Sequence, residues 1–534
     1  RDGGINFSTT ETHYALVKVP SPPLQRFVQV PGDDEHEHEH EHYVLFLDDL
    51  IRHFLPDLFP AYEVGKAYAI KLSRDADLYL EDEFSGNLKE MIEKSLSKRK
   101  TGTPTRFLYD QRMPKSTLTF IEERLDIAEE DVIEGWRYHN LNDFFSFPRF
   151  GKDDLTYEAM PPLPHPELDA LPSIMASIRE HDRLLHFPYQ SFDYVIRFLE
   201  EAAEDPDVEG LWITLYRIAD DSAVAKALVR AAEQGKQVTA FVEAKARFDE
   251  ATNLRWAERM EDAGVNVLYS MPGIKVHTKL ALVARREDDE CCYYAYLGTG
   301  NFNEKTARVY SDLALLTADQ RLGEEVRKVF AFLDKENEEP TFEHVLMAPL
   351  YLRDEFNRLI DREIENAEAG KDAWILAKMN SLEDPRIIER LYKANQAGVD
   401  VRMLVRGFSC LVPGVEGVSE DITITSIVDR FLEHARAYVF CNDGEEDLYL
   451  ASADWMKRNL NRRVEVAFPI YDPALAREIR TLLDFQLNDN VRARLFDEQQ
   501  TNPFVENDDE PVRSQFATYE HFKDKVEHTV EASG

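Results

Sequence analysis

Lys275-Val276-His277-Thr278-Lys279, and further on Gly298-Thr299-Gly300-Asn301-Phe302-Asn303, hold the side chains best suited to chemistry. An imidazole can attack phosphorus, and an ammonium two positions on is a fixed positive charge for phosphate oxygens. The apolar run Leu280-Ala281-Leu282-Val283 reads as a strand, where side chains two apart share a face. His277 and Lys279 are therefore expected to project together. The small-residue turn adds backbone N–H groups and two amides, which are groups that cradle phosphate. Together they suggest phosphoryl transfer through a phosphohistidine. An ordinary strand histidine followed by an ordinary turn is the alternative that these residues alone leave open.

The elements around this segment occur twice. Phe431-Leu432-Glu433-His434-Ala435-Arg436 leads into the apolar Ala437-Tyr438-Val439-Phe440, and Tyr449 to Met456 follows with Arg458 and Asn459 beyond it. Upstream, the helical run 220–235 ends at Gly235 before the strand 238–243, and 384–398 ends at Gly398 before 399–406. Aligning the two glycines sets Glu243 opposite Arg406, and Leu211 to Arg217 mirrors Ala373 to Asn380. Two strand-and-helix halves with one histidine each predict a duplicated α/β domain with a site at its seam, His434 facing His277.

The motifs HTKLALV (277–283), TLYRIADDS (214–222), FVEAKARFDE (241–250), YLGTGNFNEKTARVYSDLALLTAD (296–319), LVRGFSCLVPG (404–414) and LYLASADWMKRN (448–459) closely resemble the first polyphosphate kinase family, a branch of the phospholipase D superfamily. The resemblance covers residues 10–497. The wider superfamily's His-x-Lys-x4-Asp pattern is broken, with Ala284 at the aspartate position and Arg436 at the second lysine position. Both departures favour the kinase branch over a phosphodiesterase, the rival enzyme reading. A polyphosphate-binding scaffold is the rival outside enzymes, disfavoured because both histidine motifs are intact.

The resemblance implies a reversible, Mg²⁺-dependent transfer of the ATP γ-phosphate to inorganic polyphosphate with release of ADP. It assigns the phosphohistidine to His277. His434 is expected as acid–base partner or phosphate-binding group, and Lys279, Asn301 and Arg406 as phosphate contacts. Tyr310 matches a nucleotide-binding tyrosine of the family. The equivalents of Arg217 and Arg247 are associated with a magnesium–phosphate site; since an arginine cannot ligate Mg²⁺, they are read as holding the phosphates that do. Asp454 is expected to orient His434 or help place a metal. Tyr296 stands where some members carry histidine, which argues against an acid–base role there.

Asp plus Glu is 101 against 63 Lys plus Arg, a net charge of −38. Such a field repels polyanions, so the site's cations must be concentrated in a cleft or tunnel, and a salt-rich cytoplasm would shorten the repulsion. There is no broad basic stripe for nucleic acid. The four cysteines show no metal-ligand spacing and suit a reducing cytoplasm. No apolar run approaches the ~20 residues that span a bilayer, which leaves peripheral attachment at a membrane's inner face open. A homo-oligomer, dimer or tetramer, is expected.

The expected organisation is an α+β head domain over 1–160, then two tandem phospholipase D-like α/β domains over 164–340 and 341–500, and a flexible polar tail over 501–534. Strands are expected at 67–72 and 105–109 with an amphipathic helix over 84–100 between them, and a solvated His/Glu loop at 33–42. The chain opens without Met, and a fragment lacking the family's N-terminal helical domain, which contributes to the base pocket, is expected.

Overall fold

The computed structural model describes residues 12–21, 23–30, 42–74, 104–151, 153–243, 246, 250–269, 274–335 and 339–533. The expected His/Glu loop, save His42, the helix over 84–100 and Arg247 lie outside them. The chain divides into two compact units, one of residues 1–77 and 95–158, the other of 78–94 and 159–534.

The first unit is α+β. Strand Pro104–Asp110 pairs antiparallel with Ile70–Arg74 and parallel with Val132–Gly135. The first of these strands begins later than the alternation over 67–72 suggests, because Ala67 to Ala69 are irregular. A separate ribbon joins Phe27–Val30 to Tyr43–Phe46, where Phe27 packs edge-on against Phe46 and Phe147.

The second unit holds both halves of the duplication. In the first half, Val208–Leu215, Gln237–Val242 and Asn266–Tyr269 are parallel, as crossover helices require, and Lys279–Glu287, Glu290–Gly298 and Tyr310–Thr317 continue the sheet antiparallel. The second half repeats this with Trp374–Met379, Asp400–Val405 and Thr423–Ile427 parallel, then Arg436–Phe440, Asp447–Ala451 and Arg463–Pro469 antiparallel. The crossover helices Ala223–Glu233 and Pro385–Gln396 start at Ser222 and Asp384, whose side chains accept backbone N–H groups of the first turn. Both end before a glycine at positive φ, Gly235 and Gly398.

One core lies between the two sheets. Leu280 and Leu282 share it with Val439, Leu450 and Val464 of the other half, while Ala281 and Val283, pointing the other way, enter the first half's own core. This shared interior makes the two halves one unit. The joint between them is fastened by Glu325, whose buried carboxylate accepts the backbone N–H groups of Glu343, His344 and Val345 at 2.6–2.9 Å.

The tail departs from expectation. Residues Ser514–Ser533 form a helix, with Ser514, Gln515, Thr518 and Phe522 buried. Three of those four inward residues are polar, so the stretch carries no apolar periodicity, and it is held by hydrogen bonds that a hydropathy pattern does not register.

Candidate functional site

His277 does not lie on the long strand as the alternation suggested. Strand Lys275–Val276 is two residues long and pairs parallel with Arg463–Pro469 of the other half's sheet, after which the chain crosses to its own sheet at Lys279. His277 and Thr278 occupy the crossing, and both donate their N–H to the Val464 carbonyl, at 2.9 and 3.1 Å. The second half does the same in reverse. Strand Leu432–Glu433 pairs parallel with Tyr310–Thr317 of the first half, and the N–H groups of His434 and Ala435 converge on the Ser311 carbonyl at 3.0 and 2.8 Å. Each histidine therefore sits where its chain leaves the opposite sheet for its own.

The exchange gives each imidazole a carboxylate from the other half. His277 Nδ1 lies 2.9 Å from Glu465 Oε2, and His434 Nδ1 lies 2.8 Å from Asp312 Oδ2. Glu465 is fully buried and also accepts from Ser452 Oγ and from Asn459 Nδ2 (2.6 Å). Asp312 accepts from Thr299 Oγ1 at 2.6 Å. With donors converging on both carboxylates, each imidazole presents Nδ1–H to its carboxylate and keeps the Nε2 lone pair outward. Gly300 makes room for this arrangement, because a Cβ there would come 2.3 Å from the Asp312 carboxylate.

Burial, then the charges of Lys279, Arg463 and Arg436, hold His277 well below the usual imidazole range. Burial also lowers His434, with Asp312 pulling the other way. Burial pushes Asp312 up, yet His434, Thr299 and Arg436 outweigh it and leave it below the usual carboxylate range. Burial drives Glu465 upward against Lys279 and Arg463. Lys279 is drawn down to about 7, chiefly by burial; its Nζ donates to the His277 carbonyl and lies 5.4 Å from the centre of the Tyr216 ring.

The structure gathers most of the expected residues. Tyr310 packs against His434 with ring centres 5.2 Å apart. Arg406 follows directly on strand Asp400–Val405 and donates twice to Asn380 Oδ1, at 2.9 and 2.7 Å. Arg217 comes two residues beyond strand Val208–Leu215, beside Tyr216, whose ring stands edge-on 4.9 Å from His277. In the glycine turn, Thr299 is spent on Asp312, and Asn303 caps the following turn through Lys305 and Thr306. The buried Oδ1 of Asn301 has no hydrogen-bond partner among the described residues. Of the two roles expected of Asp454, orienting His434 falls instead to Asp312, while Asp454 binds Arg436 and the Asn380 backbone. Tyr296 is buried against Phe302.

Sequence reasoning missed Asp312, Glu465 and Arg463. Carrying the internal alignment one strand further would have found them. Asp312 and Glu465 are each the third residue of the strand that closes their half, and Arg463 occupies the place of Tyr310. Among the described residues no three His, Cys, Asp or Glu side chains converge as a metal site. The whole is a pair of imidazoles, each steadied by a carboxylate, amid cations. Such a set suits transfer of a phosphoryl group.

Comparison with known proteins agrees. Models of the polyphosphate kinase middle domain, C-terminal domain 1 and C-terminal domain 2 match residues 5–147, 173–339 and 345–515. Polyphosphate kinase of Vibrio vulnificus strain YJ016 is 42% identical over 529 residues, 98% of this chain and 75% of its own. That of Escherichia coli K12 is 41% identical over 517 residues, 96% and 75%. The crystal structure of polyphosphate kinase from Porphyromonas gingivalis superposes with a TM-score of 0.81 at 42% identity, covering 96% of this chain and 75% of that one.

Proposed function

On the premise that the chain belongs to the polyphosphate kinase family, we propose that His277 carries the phosphoryl group between ATP and the polyphosphate chain. The observation that supports this most is the Glu465–His277 pair amid cations, with the imidazole held neutral. His277 Nε2 attacks the γ-phosphorus, the N–P bond forms, and the bridging P–O bond breaks with its electron pair leaving on ADP. The phosphorylated ring becomes cationic, and Glu465 faces that charge through Nδ1–H. A terminal oxygen of the polyphosphate chain then attacks the same phosphorus and the N–P bond breaks. Because the N–P linkage keeps a high transfer potential, both steps run backwards as readily. One displacement is thus divided into two easier ones.

His434 and Arg436 are close enough for their charges to act on His277. Arg436 supplies hydrogen bonds to the moving phosphoryl oxygens, and His434, whose Nε2 is unprotonated at rest, is the acid–base partner that takes up a proton there and returns it. Tyr310, Arg406, Lys279 and Asn301 hold the nucleotide and its phosphates. Bound Mg²⁺ would neutralise charge on the triphosphate.

The test labels the protein from γ-labelled ATP. His277→Ala should abolish acid-labile, base-stable labelling, whereas His434→Ala should label at His277 but slower by ~10²–10⁴-fold, the usual worth of a positioned acid or base. Label on His434 in the His277→Ala protein would reverse the roles. Unchanged turnover in either variant would refute the two-histidine mechanism.

A further inference from the structure

The strand that delivers His434 is two residues long and lies at the edge of its sheet, with one strand partner among the described residues, Tyr310–Thr317. A strand that short specifies its register weakly, and a slip of one residue would turn every side chain to the other face. Its free edge is met by Gln515 at the start of the C-terminal helix. Gln515 Oε1 accepts the Phe431 N–H at 2.9 Å, and Nε2 donates to the Phe431 carbonyl at 2.9 Å and to Glu433 Oε1 at 2.8 Å. The amide thereby pairs with Phe431 as a neighbouring strand would.

The residues on either side add to the grip. Arg513 forks onto Asp429 at 2.7 and 2.5 Å, and Ser514 donates its N–H and Oγ–H to Asp489. On the far side, the second Glu433 oxygen takes Lys378 Nζ at 2.6 Å, and that ammonium also donates to Gln486 Oε1 at 2.6 Å. Gln515, Lys378, Glu433 and Gln486 are all buried.

We propose that the C-terminal helix positions His434, with Gln515 as the positioning residue that locks the register of strand Leu432–Glu433 and so keeps the imidazole on Asp312. The inference rests on the phosphohistidine reading above, because what it protects is the geometry of the transfer step.

The experiment is single-turnover labelling of the full chain with γ-labelled ATP, comparing wild type, Gln515→Leu and Leu359→Val. Leu359 lies in a separate part of the core and serves as a stability control. Gln515→Leu should label to wild-type stoichiometry at His277, at a rate per site lower by ~10–100-fold, the cost of a misplaced group of about an ångström. Leu359→Val should label at the wild-type rate. If Gln515→Leu instead loses sites in proportion to unfolded protein while each remaining site reacts at the wild-type rate, the helix is merely structural and the inference is overturned. If wild type acquires no label on histidine, the phosphohistidine reading fails. Positioning is then read from polyphosphate synthesis per folded molecule, where equal rates for Gln515→Leu and Leu359→Val overturn it.

Discussion

On the phosphohistidine reading, Glu465 matters most to His277, 2.9 Å from its Nδ1. As a carboxylate it would select the His277 tautomer and face the charge that the ring acquires. Glu465→Gln keeps the shape but can turn its amide N–H toward Nδ1, which would place the ring proton on Nε2 and block attack. An amide in place of the carboxylate behind a catalytic histidine costs up to ~10⁴-fold, and a loss of ~10²–10⁴ in labelling rate is expected with ATP binding little changed. A Glu465→Gln enzyme that labels at the wild-type rate would show that the pair is only structural. Lys279 gives a second test. Its folded-state value of about 7 means that its charge is lost as pH rises through neutrality, so kcat/KM for ATP should fall on the alkaline side with a midpoint near there. Lys279→Arg keeps its charge and should move that limb to higher pH. With His277 held well below the ordinary imidazole range, no acid limb is expected near pH 6.5. A wild-type profile flat from pH 6 to 9 would count against the Lys279 assignment, and an acid limb near pH 6.5 against that of His277.

At the scale of elements, the duplication was legible in the sequence because it is written in periodic apolar strands, in glycines after helices and in two histidine motifs. The exchange of short strands was not. Lys275-Val276 and Leu432-Glu433 are too brief to show a period, and what fixes them is a partner far along the chain in the other half. For the same reason His277 read as part of one continuous strand. Glu465 and Asp312 each sit in a strand that is otherwise mostly apolar, where nothing local distinguishes a ligand of a distant imidazole from a satisfied core acid. The tail was misread because its inward face is largely amide and hydroxyl. The joint between the halves yields a prediction at this scale. Glu325→Leu removes the acceptor of three backbone N–H groups at a buried corner. Since hydrogen bonds to a charged group are worth roughly 1.5–3 kcal/mol each and their sum is seldom fully realised, a loss of about 3 kcal/mol in urea unfolding is expected. An effect below about 0.5 kcal/mol, the size of an ordinary surface change, would mean that the joint is held by the shared apolar core alone.

The whole molecule sets a polyanion's site inside a strongly acidic body. The net charge of −38 acts over distance, whereas Lys279, Arg436, Arg463 and Arg406 act at contact range within a largely buried cluster. Salt separates the two, because the Debye length falls from about 30 Å at 0.01 M to about 3 Å at 1 M while buried pairs are screened far less. Self-repulsion among surface carboxylates should therefore fade first. The thermal midpoint should rise with KCl into the molar range, with pairs such as Asp312–His434 left intact. ATP would feel the same change on approach, so its KM should fall over the low-salt range as repulsion is screened. It should rise again only where the contact-range cations are themselves weakened. Full stability at low ionic strength, declining steadily as KCl is added, would show that the acidic surface is already neutralised by its own ion pairs and would defeat this account while leaving the chemistry of the two histidines untouched.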